Sequence, residues 1–540
     1  MFNHKGNKPF NSSSQNIIMK KLLTSILTIL SIASIHSQNT PPTPKLVIGI
    51  TIDQLRTDYI ETFASLFGND GFKRLWKEGK VYRHADYDFP NIDCASAVAS
   101  IYTGTTPSLH GIIGENWMNL STLQPENSVN DPAFMGNYTT QNTSPKKLLV
   151  STLADELKIS TKNKAYAFSI APTAEAALFS AGHMADCAFW FNTSNGKWCS
   201  TTYYKNYPWW ASRYNDQSSL DTRLSEWEWT PTHPSFKYEY ASGWQQEPFK
   251  YKFNQGDKFR KAITSPFIND EINRFVSELL KQSGVGEDDT PDFLGITYYA
   301  GNFEHRNVNE YPMEIQDIYV RLDKSLSHLF ALIEERIGLN NVLIFVTSTG
   351  YIDADTPSIN YQHIPGGEFH INRCATLLNM YLMATYGQGE YVEAFYNNQI
   401  YLNHELLEKK QLPLADIQKQ ASDFVIQFSG VHQVYSSNRI LLGSWSNEVE
   451  KIKNGYHIKR SGDLIIDVLP GWTLMNKDSY ENILVRHTPV LTPLIFMGNQ
   501  IVPEIINTPT HISKIAPTIA HSIKIRAPNA SKTIPLLNIQ

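Results

Sequence analysis

The chain has 540 residues, 41% hydrophobic and 18% charged, the profile of a folded globular protein with a large core rather than a disordered or fibrous one. Its formal charge is −5 and no Lys/Arg-rich run occurs beyond the extreme N-terminus, which excludes a nucleic-acid footprint and a polyanion-binding role. Four cysteines are too few for a disulfide-built scaffold.

The first predicted feature is a processing signal. Lys20 and Lys21 precede an apolar run of 14 residues, Leu22 to Ile35, and Ser37 offers a small residue for cleavage before Gln38. The pattern predicts a secretory signal peptide over 1–37 with Met19 as the true start, and hence an exported protein, periplasmic or secreted. The run is too short for a spanning helix, and no later segment has about 18–20 uninterrupted apolar residues, so no membrane span is expected. After a linker holding Pro41, Pro42 and Pro44, the β-branched run from Lys45 to Ile52 ends in Asp53. Such a run suits a strand buried on both faces of a parallel sheet, and places Asp53 at the carboxyl edge where ligands bind in open α/β sheets. Runs at 292–298 and 341–347 share this character, and an amphipathic helical pattern over 314–337 lies between them. The expected fold is α/β, a mostly parallel sheet flanked by helices, over 38–540.

Two inserted subdomains are expected within it. Residues 186–260 carry seven of the eleven tryptophans, either a binding surface or large aromatics filling a thin core. Cys187 and Cys199 flank a hairpin signal at Asn195-Gly196; a turn there pairs Cys187 nearer Thr202 than Cys199, which leaves a bridge as an open alternative. Residues 352–485 read as a second, α+β insertion.

Several segments together resemble the alkaline phosphatase superfamily, in particular its PafA-type bacterial members: Val47–Asp53, Ala99–Pro107 with Leu109–Ile113, Ala181–Asp186, Arg321–Asp323, Tyr401–Asn403, Lys459–Asp463, Pro470–Trp472 and Ile515–Thr518. The resemblance implies an alkaline-phosphatase-like sheet, and in the family two zinc ions, six metal ligands, a Thr nucleophile and cationic phosphate clamps. Asp53 matches the first Asp ligand and His305 a His ligand. The other positions depart: Gly301 stands for an Asp, and Thr347-Ser-Thr-Gly-Tyr351 replaces a segment that supplies two ligands. The last His ligand aligns with Asn482 or Ile483, with His487 nearby. Ala171-Pro172-Thr173 replaces the family's Lys-Asp-Arg clamp, and neutral side chains cannot supply its charge-assisted bonds. The family's phosphate-contacting Asn falls on Glu115, or on Asn116 with a one-residue slip. Cys94 occupies the nucleophile position.

The resemblance and its departures predict a non-catalytic pseudophosphatase, with Asp53 and His305 as vestigial ligands, no cofactor, and a role in binding a protein partner in the cell envelope or a small molecule. The alternative is an active metal-dependent phosphoric or sulfuric ester hydrolase using Cys94, although Cys94-Ala-Ser-Ala-Val98 lacks the Pro and Arg of the formylglycine sulfatase signature. Asp53 has a second reading as the cap of a helix beginning near Asp58, His183 reads as a satisfied scaffold residue, and Lys459-Arg460 as a salt-bridging framework segment. Asp353, His363, His370 and His487 are acids and histidines outside the motif positions whose geometry the sequence leaves open.

Overall fold

The computed structural model describes residues 1, 43–204, 206–218, 220–238, 248–254, 256–306, 311–353, 366–443, 446–469, 472–475 and 488–536. The signal-peptide reading, His363, Asn482, Ile483 and His487 lie outside these. Residues 43–540 form one compact unit.

An eleven-stranded sheet runs through it. Its strands in chain order are β1 (Leu46–Asp53), β2 (Lys80–Asp86), β3 (Gly136–Asn137), β4 (Ala167–Ala171), β5 (Cys187–Phe191), β6 (Trp198–Thr201), β7 (Asp292–Tyr299) and β8 (Val342–Ser348). Residues 367–475 then contribute a separate four-stranded sheet, made of β9 (Val392–Tyr396), β10 (Gln399–Leu402), β11 (Val431–Ser436) and β12 (Leu464–Val468). The chain returns to the central sheet with β13 (Thr492–Gly498), β14 (Glu504–Ile506) and β15 (Thr510–His511). Spatial order is β14-β2-β13-β8-β1-β7-β4-β5-β6-β3, with β15 beside β2. β1 is parallel to both β7 and β8, and β7, β4 and β5 continue the parallel run. β13 is antiparallel to β8 and to β2.

The β-branched runs are buried on both faces, as a helix-covered parallel sheet requires. Ile48, Ile50 and Ile52 point into a cluster with α3 (Phe267–Gln282) and α4 (Pro312–Arg336), the helix expected at 314–337. Val47, Phe293 and Phe345 point to the other face, against the alanine-rich helices α1 (Cys94–Thr103) and α2 (Ala174–Ala181). Close approach is why β1 carries Gly49: a Cβ there would sit 2.5 Å from the Phe345 ring and 2.8 Å from the Tyr102 hydroxyl.

The four-stranded sheet has its own core, in which Leu378, Ile400, Ile417 and Ile466 meet. The aromatic range 186–260 packs differently. Its first strand, β5, belongs to the central sheet, and Trp198, Trp210 and Trp229 are buried in the same cluster as β1 and α4. Their indole N–H groups find carboxylates where one is in reach: Trp198 Nε1 donates to Glu271 (3.3 Å) and Trp229 Nε1 to Asp317 (2.6 Å). All four cysteines are free and buried; Cys187 Sγ lies 3.1 Å from Ser200 Oγ, and Cys199 pairs across the sheet with Trp190. His183 is held as expected, Nδ1 on Asp155 and Nε2 on the Leu148 carbonyl. Arg460 differs from the reading as a salt-bridging residue. Its guanidinium donates to the carbonyls of Gly111 and Lys147 and lies 4.6 Å over the Trp117 ring.

Candidate functional site

The carboxyl ends of β1, β7 and β8 meet at a single edge, and the candidate residues gather there. Asp53 ends β1, but it does not cap a helix: the helix at Thr57–Thr62 has Arg56 at its N-cap position, with no side-chain hydrogen bond. Asp53 Oδ1 instead accepts the Thr349 hydroxyl (2.8 Å), and Thr349 Oγ1 accepts the Gln54 N–H (2.9 Å). Gln54, buried and in the left-handed region at φ 61°, donates its side-chain amide to Asp353 Oδ1 (3.1 Å). Asp353 Oδ2 takes His305 Nδ1 (2.7 Å). One chain of polar contacts thus runs Asp53, Thr349, Gln54, Asp353, His305. Glu304 and His305 are also left-handed, at φ 49° and 55°. Non-glycine residues in that region are uncommon and persist where the surroundings enforce them, often at active sites, ligand clamps and switch regions. His305 is drawn toward its charged form first by the Asp353 hydrogen bond, against the opposing effect of burial.

Protein side chains stand where larger residues at two glycines would extend. Gly350 has φ 74°, and a Cβ on it would lie 2.3 Å from Tyr87 Cε2. Tyr87 is buried with its hydroxyl donating to the Ser348 carbonyl (2.8 Å). A Cβ on Gly301 would meet Gln54 Oε1 and the Tyr299 hydroxyl, each at 2.6 Å.

Cys94 is the first residue of α1, whose N-cap is Asp93. Asp93 Oδ1 accepts the Ser96 N–H (2.9 Å) and Oδ2 the Glu115 N–H (2.6 Å). A helix N-terminus favours a thiolate, yet here burial dominates and the nearby carboxylates of Asp53, Glu115, Asp93 and Glu175 add to it, pushing the thiol well above its usual range. Glu115 is likewise pushed well above the ordinary carboxylate range, by burial first and then by Glu175, Asp93, Asp53 and Asp353. The charges acting most strongly on both groups are therefore all carboxylates. At the clamp position Ala171 ends β4, while Thr173 caps α2 by accepting the Ala176 N–H (3.4 Å). Asn116 faces a cavity beside Asp93 and Glu115.

Asp53 acts electrostatically on Cys94, Glu115 and His305, so these four groups lie near one another at this sheet edge. Of the residues left open, Asp353 joins this edge through His305, whereas His370 is engaged elsewhere with Glu368 (3.1 Å). Gln54 and Tyr87 carry no motif signal; Gln54 could have been suspected only from its place directly after the strand-end Asp53. Among the described residues no group of three or more His, Cys, Asp or Glu is arranged to hold a metal ion, and no helix is long and apolar enough to cross a membrane.

Comparison with known proteins agrees with this architecture. The family model of type I phosphodiesterases / nucleotide pyrophosphatases matches residues 47–490. Alkaline phosphatase PafA of Elizabethkingia meningoseptica is 27% identical over 541 aligned positions, covering 96% of this chain and 99% of that protein. Alkaline phosphatase PhoV of Synechococcus elongatus is 27% identical, covering 95% and 98%. A crystal structure of wild type PafA superposes with a TM-score of 0.81 at 27% identity, covering 93% of this chain and 100% of its own.

Proposed function

Because the chain belongs to the type I phosphodiesterase / nucleotide pyrophosphatase family and has the alkaline-phosphatase fold, we propose that it is a non-catalytic member of that family, exported and acting by binding in the cell envelope. The observation that carries this reading is the filling of space at two ligand-bearing segments. The family resemblance puts an Asp at 301 and two ligands within 347–351, a segment that here includes Gly350; Gln54 and Tyr299 stand in the path of a side chain at 301, and Tyr87 in that of one at 350. A Tyr ring and a buried amide held by hydrogen bonds are not easily displaced by a metal ion. The residues present do not fit a pair of zinc ions: Asp53 is engaged by Thr349, His305 by Asp353, and two isolated ligands fall short of the usual four-coordinate set.

The phosphate side supports the same conclusion. A phosphoryl group would enter among carboxylates with a neutral Thr173 at the clamp position. The rival reading, a hydrolase with Cys94 as nucleophile, needs a thiolate that burial and four carboxylates oppose. Emission spectroscopy on the purified protein, beside an aryl phosphate assay, tests the proposal. We expect well under one zinc per chain and background hydrolysis. Stoichiometric zinc with turnover abolished by Asp53→Asn or Cys94→Ala refutes it.

A further inference from the structure

Between the segment 89–117 and the four-stranded sheet lies a cavity of about 260 Å³. It takes no part in the Asp53-to-His305 chain. One wall carries Asn91, Asp93, Glu115 and Asn116; the other is the turn between β9 and β10, with Asn397, Asn398 and Gln399. The rings of Phe89, Trp117, Tyr396, Tyr401 and Tyr456 complete it.

Three features narrow what this cavity accepts. Among the described lining residues there is no Lys, Arg or His, so nothing offsets the desolvation of a phosphate or carboxylate. Its two acids are also spoken for. The Asp93 oxygens accept the Ser96 and Glu115 N–H groups, and the half-buried Glu115 is shifted toward its uncharged form by desolvation and by neighbouring carboxylates. What remains is neutral donor and acceptor capacity. The side-chain amides of Asn116 and Asn397, both half-buried, have no hydrogen-bond partner among the described residues, and Gln399 is anchored through Oε1 on the Gly462 N–H (2.6 Å), which leaves its NH₂ end without one. Half-buried amides without protein partners are met by water, which a ligand with matched donors and acceptors can displace. Aromatic faces between amides suit a molecule whose edge is hydroxylated and whose faces are C–H.

We infer that this cavity binds a neutral, polyhydroxylated ligand the size of a single sugar ring. The volume lies just under the ~300–1,000 Å³ of ordinary small-molecule sites, which excludes a nucleotide or an oligosaccharide filling it. The inference rests on the proposed turn from phosphoryl chemistry to binding, and deepens it by naming a ligand class. It is tested on the purified full chain by saturation-transfer NMR and calorimetry, using the methyl glycosides of glucose, galactose, mannose and N-acetylglucosamine as probes, each up to about 10 mM. Saturable binding of at least one glycoside is expected, weakened about tenfold or more by Asn116→Ala or Asn397→Ala and unaffected by an equal concentration of inorganic phosphate. Unchanged melting temperatures in both variants establish that they are folded. No binding by any probe, binding indifferent to both substitutions, or displacement by phosphate overturns the inference. Zinc content and hydrolysis are read separately, so an active zinc enzyme that still binds a glycoside in this way would refute the proposed function and leave the cavity assignment standing.

Discussion

Adding one methyl group, Gly350→Ala, probes how closely Tyr87 packs against the backbone at the end of β8. The backbone at φ 74° is left-handed, which costs an L-residue about 1–2 kcal/mol. The new Cβ would lie 2.3 Å from Tyr87 Cε2 and 2.4 Å from Cδ2. Tyr87 cannot simply swing away, because its hydroxyl is tied to the Ser348 carbonyl and its ring packs edge-on against Phe89 at 5.7 Å. Overpacking of this kind costs about 1–3 kcal/mol, so the whole effect should be about 2–5 kcal/mol. A double-mutant cycle separates the two parts. In a Tyr87→Ala background the ring is gone, and Gly350→Ala should retain only the backbone part, about 1–2 kcal/mol. Urea unfolding of the four proteins measures each step. A total below about 1 kcal/mol, or an equal cost in both backgrounds, refutes the reasoning that Tyr87 fills the space beside Gly350.

Other expectations follow from buried groups. Burial pushes the thiols of Cys187, Cys199 and Cys374 up to about 12 and Cys94 well above its usual range; native protein at pH 8 should therefore show no fast reaction with a disulfide reagent and four thiols after denaturation, and a rapidly reacting Cys94 would contradict the assignment. His110 is pushed down to about 3 by burial, with Nδ1 accepting the Ile112 N–H and Nε2 against Ser100 Oγ. The unfolded chain takes up this proton near the ordinary value of 6.5 and the folded one only near 3, so the contribution is present above 6.5 and lost as pH falls through about 3. That loss is on the order of 4–5 kcal/mol, and denaturation midpoints across this window should flatten in His110→Gln. Trp210→Ala should cost about 3–5 kcal/mol because the ring is 3% exposed, whereas Trp209→Ala, at 63% exposure, should stay within about 0.5 kcal/mol; thermal melts decide, and only Trp209 is suited to testing for a partner surface.

Much of the frame could be read before the structure. The runs at 46–52, 292–298 and 342–347 are strands because unbroken β-branched sequence has a stable place only between two helical layers, and Asp53 falls at their shared edge. Other features depend on contacts that no local pattern encodes. Asp353 meets His305 across two separate loops, and Tyr87 reaches Gly350 from the end of β2. The tryptophans of 186–260 looked separable from the core because density of aromatics says nothing about which side of a helix layer they enter. Arg460 misled for a related reason, since sequence shows the cation but not that its partners are carbonyl oxygens.

The position of β13 has a consequence for how the molecule is made. This strand, Thr492–Gly498, lies between β8 and β2, so the first edge of the sheet to emerge from synthesis waits for almost the last segment of the chain before it is paired. Until then β2 and β8 present open backbone edges of the kind that recruit other chains. Pairing over such separations makes folding slow, because the loop must close before its contacts reward it. A chain shortened to end before residue 492 should therefore fail as a whole and aggregate, instead of yielding a smaller folded protein, and in the cell this chain would draw on chaperones that hold it open until its C-terminal strand arrives.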